Sequence, residues 1–186
     1  LRVLPSDPMI DRSGRSVVAD LPYERVDPGP TGRLIEVIDY DPVHDCYYHP
    51  IDLDSPEVLI GGGLEVSEDD PRFHQQMVYA VAMRVLETFE RGLGRPFRWR
   101  GRRRLRMYPH AFIGENAYFD EELFALLFGY FTAAADGQGA NLPNQVVFTA
   151  LSHDIIAHET THAVLKRLRP HFSNPTNPDV LAFHEG

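Results

Sequence analysis

The strongest helical periodicity in the chain lies between Asp70 and Gly92. Phe73, Met77, Val78, Val81, Val85 and Phe89 fall on one stripe. Asp70-Pro71 has the form of an N-cap followed by proline at the first helical position, and Gly92 is placed to end the helix. Upstream, Leu34, Ile35, Val37 and Ile38 predict a strand within 33–40. Downstream, Arg98, Arg100, Arg102, Arg104 and Arg106 recur at every second position, with Trp99, Leu105 and Met107 between them. Period two predicts a half-exposed antiparallel strand whose arginine face is solvated and pairs with Glu65, Glu68, Asp69 and Asp70; a cationic groove is the competing reading. An apolar, aromatic run from Leu123 to Tyr130 follows a turn at Asp120-Glu121-Glu122. After a loop over 132–145, a short strand is expected from Gln145 to Thr149.

The last periodic segment runs from Ile155 to Leu168. Ile155, Ala163, Val164 and Leu168 lie at helical spacing with Ile156 and Leu165 flanking, Ser152 or Asp154 can cap the start, and Pro170 stops it. The remainder reads as connection. Residues 1–32, with Pro5, Pro8, Pro22, Pro28 and Pro30, form an irregular N-terminal arm, and 33–186 form the main domain. Residues 41–57, including His44, Asp45, His49 and Asp52, read as surface loop rather than a second metal cluster. Gly61-Gly62-Gly63 lacks the Lys or Ser/Thr of a phosphate loop and reads as a bulge or flexible connection.

Composition narrows the classes. A chain of 186 residues is expected to form one domain, and its net charge of −9 argues against a nucleic-acid protein. The single Cys46 excludes an internal disulfide framework. No apolar stretch approaches the length of a membrane span. No signal peptide is visible, which slightly favours a cytoplasmic over a secreted protein.

Chemistry concentrates in His158-Glu159-Thr160-Thr161-His162. Residues i and i+4 are neighbours on a helix, so two imidazoles can meet one zinc while the adjacent carboxylate holds a metal-bound water and takes its proton. Zinc therefore enters as the expected cofactor, with His158 and His162 as ligands and Glu159 as general base. A third ligand is required. Leu165 and Leu168 occupy the positions where a longer motif would place Gly and His, so the metzincin type is disfavoured. His171, Asp179, His184 and Glu185 remain. Asn177-Pro178-Asp179 has the form of a helix start, which puts Glu185 on the second turn of a following helix. Glu185 is preferred and His184 is the runner-up.

The stretch Asp154-Ile155-Ile156-Ala157-His158-Glu159-Thr160-Thr161-His162-Ala163-Val164 resembles the active-site helix of thermolysin-like zinc metallopeptidases, the gluzincins. Asn116-Ala117-Tyr118-Phe119 resembles that family's edge strand, which binds the substrate backbone. The resemblance covers about residues 70–186. It implies an α+β, zincin-like fold: a twisted, mostly antiparallel sheet packed on a long helix, with the motif helix closing its lower side. It implies hydrolysis of a peptide bond in a peptide or protein substrate, substrate binding by Asn116 and Ala117, and a further helical domain beyond Gly186. Turnover by the present chain alone would then be weak. Calcium at Asp154 is possible in the family but is not expected here. The alternative is a zinc-binding or protein-interaction domain without catalysis.

Overall fold

The computed structural model describes residues 1–5, 16–136 and 141–170. The architecture is mixed α+β. Strands β1 (Arg2–Val3) and β2 (Val17–Val18) pair near the start, followed by β3 (Ile35–Val37) and the small hairpin β4 (Tyr40–Asp41) and β5 (Cys46–Tyr47). Helices α1 (Pro56–Gly61) and α2 (Pro71–Leu93) come next. Then β6 (Leu105–Ile113), β7 (Ala117–Asp120), β8 (Ala125–Thr132) and β9 (Val146–Phe148) lead to α3 (His153–Leu168), which carries the motif.

The main sheet has the order β3-β6-β8-β7, with β9 also paired to β8. The expectation of a mostly antiparallel sheet is wrong. β3 and β6 are parallel, as are β6 and β8, while β7 and β9 each run antiparallel to β8. Two features cause this. A crossover containing α2 separates β3 from β6, and a connection of that kind returns the chain in the same direction. The chain then reverses through β7, and β8 inserts between β6 and β7.

One face of the sheet carries the core. Leu105 and Met107 of β6 and Leu126 and Phe128 of β8 are fully buried, whereas Arg106, Tyr108 and Leu127 between them are partly exposed. Against the buried face lies α2, begun by Asp70, whose side chain accepts from Arg72 N–H at 2.9 Å. Its C-cap is Gly94 at φ 63°, not Gly92. Phe73, Met77, Val78 and Val81 of the expected stripe are buried, and Val85 and Phe89 are half-buried.

The arginine run is not a strand. Gly101 turns left-handed at φ 67° inside a 3-10 turn at Arg100–Arg102, and only Arg106 of the five sits in β6. Trp99 fixes the detour by donating its indole N–H to Leu34 C=O at 2.8 Å while its ring packs edge-on against Phe97. Glu65 and Asp70 pair with Arg2 and Arg72 instead of with this run. Val58-Leu59-Ile60 and Gly61 form α1, so the triple glycine is a helix end, capped by Gly62 at φ 69°. Within the N-terminal arm, Val3, Leu4 and Val26 join the core.

α2 is locked to the sheet by a buried polar chain. His110 Nδ1 lies 2.6 Å from Asp39 Oδ1, His110 Nε2 lies 2.8 Å from His74 Nδ1, and His74 Nε2 lies 2.9 Å from Glu68 C=O. Asp39 also accepts from the Gln75 amide at 2.8 Å. Both ends of the chain are acceptors. His110 occupies a register shift in β6 between Tyr108 and Phe112, next to Pro109, which has no N–H to give the ladder.

Burial, and then the neighbouring His110, push the His74 imidazole down to about 3 from its ordinary 6.5. Below about 6.5 the unfolded chain binds a proton that native His74 refuses. This contribution to stability is complete above that pH and is lost as the pH falls toward 3, by up to about 1.4 kcal/mol per unit. Urea melts between pH 7 and 4 should show His74→Gln less stable than wild type at pH 7 but with a shallower acid slope. Equal slopes would remove His74 from the account.

Candidate metal centre

Ser152 starts α3. Its hydroxyl accepts from Ile155 N–H at 3.4 Å, whereas Asp154 is 82% exposed and lies in the first turn. Lys166 and Arg167 occupy the last turn, where cations oppose the negative helix end. Ile156, Ala163 and Val164 bury one face against the core. Thr160 and Thr161 donate their hydroxyls to Ile156 and Ala157 C=O at 2.7 and 2.8 Å. Between these anchors the opposite face presents His158 and His162.

The two imidazoles converge. His158 Nε2 and His162 Nε2 lie 2.8 Å apart, with ring planes at 86°. A ligand atom from each, together with a Glu159 carboxylate oxygen, falls within 4.8 Å of the others. Two nitrogens held at 2.0–2.1 Å by one tetrahedral ion would be roughly 3.3 Å apart. A small ring rotation reaches that spacing, so the pair fits a metal of zinc type. Among the described residues this is the only cluster of three such side chains.

Glu159 is 9% exposed, and its Oε2 accepts from Phe119 N–H at 3.1 Å. That bond ties the motif helix to β7, the edge strand. β7 pairs with β8 on one side only, in the register Ala117–Phe128 to Asp120–Ala125. Asn116 C=O accepts from Gly129 N–H at 2.9 Å, so it faces β8. Antiparallel alternation then turns the backbone groups of Ala117 and Phe119 away from the sheet, as the Phe119–Glu159 bond requires. Ala117 therefore offers backbone to the cleft, and Asn116 offers its exposed side-chain amide. Glu115, Asn116 and Ala117 face Ile155, His158 and Glu159 across a cavity of about 390 Å³.

The geometry thus brings together His158, Glu159, His162, Asn116 and Ala117. Glu185, His184, His171 and Asp179 lie outside the described residues, as does the expected helix that carries Glu185. The loop residues 41–57 form no metal cluster among the described residues; His44 Nδ1 instead holds Asp41 at 2.7 Å. Sequence reasoning missed Gly129. A Cβ there would lie 2.3 Å from Gly114 C=O and 2.8 Å from Asn116 C=O, so this glycine lets the turn into the edge strand close over β8. It also missed the Asp39–His110–His74 chain, whose members are 71 and 36 residues apart. No helix of the described residues is long and apolar enough to cross a membrane.

No family model, curated protein or solved structure matches this chain.

Two substitutions test the local construction. Ser152→Ala removes a buried cap and should cost about 0.5–2 kcal/mol in thermal or denaturant melts, while Asp154→Ala should cost less than half of that. Gly129→Ala should destabilise by about 1–3 kcal/mol, because its methyl meets backbone that cannot swing aside. Unchanged melting of both Ser152→Ala and Gly129→Ala would contradict the packing described.

Proposed function

We propose that this chain is the zinc-bearing part of a thermolysin-like metallopeptidase and hydrolyses peptide bonds. The observation that carries the reading is the convergence of His158, His162 and Glu159 beside an unpaired strand edge whose backbone faces them. An ion alone would be compatible with a structural site. A structural site, however, has no need of a groove beside it, and here one runs along β7 and opens onto the same helix face.

His158 and His162 would hold the zinc, with Glu185 as the preferred third ligand. When bound, zinc at this place would acidify a water and polarise a carbonyl. Glu159 is the general base. The Phe119 N–H orients its carboxylate, and it can take a proton at the attacking oxygen and deliver it to the departing amine. An extended substrate would add to β7 as a further strand, bonded to Ala117 backbone and steadied by the Asn116 amide. The zincin-like fold belongs to the same proposal. It is supported by a long helix under the sheet, an antiparallel edge strand, and a motif helix alongside that strand. A zinc-binding domain without turnover is the second reading; the convergent pair favours it as much, and the groove favours catalysis.

Elemental analysis after dialysis should find about one zinc per chain, lost in His158→Ala or His162→Ala and retained in Glu159→Gln. Zinc-loaded protein should cleave a quenched fluorescent peptide library. Glu159→Gln should reduce that rate by at least about 100-fold, the lower range for a lost general base. Zinc retained by His162→Ala would overturn the site. Zinc bound with equal, near-zero turnover in wild type and Glu159→Gln would leave the non-catalytic reading.

A further inference from the structure

A second cavity, of about 190 Å³, is lined by residues further along the same two elements, β7 and α3. α3 and β7 run side by side, with the first cavity toward their Ala117 and Ile155 ends and the second toward Phe119 and Ala163. Glu159 and Asn116–Ala117 line the first; Phe119 and Ala163 lie on the floor of the second. Ala163 follows Glu159 by one helical turn, about 6 Å, and Arg167 follows by two. Phe119 follows Ala117 by about 7 Å of strand.

The second cavity has a distinct chemistry. Its floor is apolar, with Phe119 and Phe124 meeting edge-on at 5.9 Å beneath fully buried Ala163. Its rim is cationic. Arg100 and Arg103 are exposed, and the Arg103 guanidinium sits 5.1 Å from the Phe124 ring centroid, over its face. Arg167 uses Nε to hold Arg98 C=O at 2.9 Å. The one carboxylate on the rim, Glu121, is matched by Lys166 at 2.7 Å. Arg100, Arg103 and Arg167 have no carboxylate partner among the described residues, in a chain whose net charge is −9. Three unneutralised guanidinium groups over an aromatic floor are suited to a carboxylate on a partly apolar backbone. In so acidic a chain, this local field is the exception.

We infer that the groove selects peptides with acidic side chains, seated at the arginine rim three to four residues from the one that pairs with Ala117. This rests on reading the groove as the peptide site. The spacing follows from the strand rise: about 7 Å reaches Phe119 and about 10–13 Å reaches the rim. The direction is toward the Phe119–Glu121 end of β7. The preferred substrate is thus acidic on that side, whereas the other cavity is lined by the carboxylates of Glu115 and Asp154.

The test uses the whole chain carrying Glu159→Gln, so that binding is read without turnover. Fluorescence anisotropy compares three labelled peptides of one sequence that differ only in carrying Glu, Gln or Lys at those positions. The Glu peptide should bind at least ten-fold tighter than the Gln peptide, and the Lys peptide weakest. The advantage should shrink as salt is raised from 50 to 500 mM. Arg100→Glu with Arg103→Glu should abolish the ranking. Arg100→Ala, at an exposed side chain, should reduce it with unchanged melting, which separates charge from folding. Equal binding of the three peptides, or a ranking untouched by the arginine changes, overturns the inference. So does a single-stranded oligonucleotide that displaces the Glu peptide at comparable affinity, since the rim would then be reading phosphate. Cleavage by zinc-loaded wild type is scored separately. Cleavage without an acidic preference defeats this inference alone, whereas the Glu ranking without any cleavage defeats only the peptidase reading.

Discussion

A carboxylate buried as deeply as that of Glu159 must be matched by donors, or its ionised form is driven out by the cost of desolvation. The Phe119 N–H supplies one such donor, and it can do so because β7 is an edge. Were another strand paired there, that N–H would belong to the ladder and the motif helix would lose its hold on the sheet. The unpaired edge is ordinarily a hazard, since it invites association with other chains. Here one of its outward-facing groups, the Phe119 N–H, is committed to the motif helix, and α3 lies alongside it. The exposed remainder is short, two to three residues, which limits what can add to it.

The other side of the frame depends on α2. Its first turns are buried nearly all round, so polar residues within them must find partners inside the protein. Gln75 accepts from Ile51 N–H and donates to Asp39, and Gln76 accepts from Leu64 N–H and donates to Arg2 C=O. These side chains anchor backbone of β1 and of the connections before α2, adding to the hydrogen bonds those segments make among themselves. The Asp39–His110–His74 chain extends the same device to the centre of β6. A buried chain of this kind tolerates no missing member, because the remaining donors and acceptors cannot reach water.

The legible parts of this chain were those written in local periodicity. The stripe of α2, the bounds of α3 and the turn before β8 all follow from residues within one or two turns of each other, whereas the Asn116–Phe119 edge strand was implied by a family resemblance. The errors have a common physical source. Arg98 to Arg106 alternates like a strand, but Gly101 and the buried Trp99 override the alternation through contacts 65 residues away. Strand direction was misjudged because direction depends on where a connection passes, which no local pattern records. No local pattern marks His74 and His110, and only the fold brings them to Asp39. In the site, the i, i+4 geometry of His158 and His162 was legible because one helix supplies both. Glu159 was legible as chemistry, but its anchor was not, since the donor is a backbone group 40 residues away.

The two-residue period of β7 explains why Asn116 and Ala117, though adjacent, act differently. Asn116 C=O is consumed by Gly129 N–H and also receives the Thr149 hydroxyl, so that residue can address the cleft only through its side chain. Ala117 has the opposite arrangement: its side chain is buried, and its backbone is directed outward. A slip of one residue against β8 would exchange these roles and withdraw the Phe119 N–H from Glu159. Gly129 is what prevents the slip. It is the residue of β8 that meets the incoming turn, with Gly114 C=O, Asn116 C=O and the Phe112 ring all within 3 Å of the place a Cβ would take. Only one register puts the side-chain-free position under that crossing. The position of the Glu159 carboxylate is thus set through a glycine, a strand register and one backbone hydrogen bond.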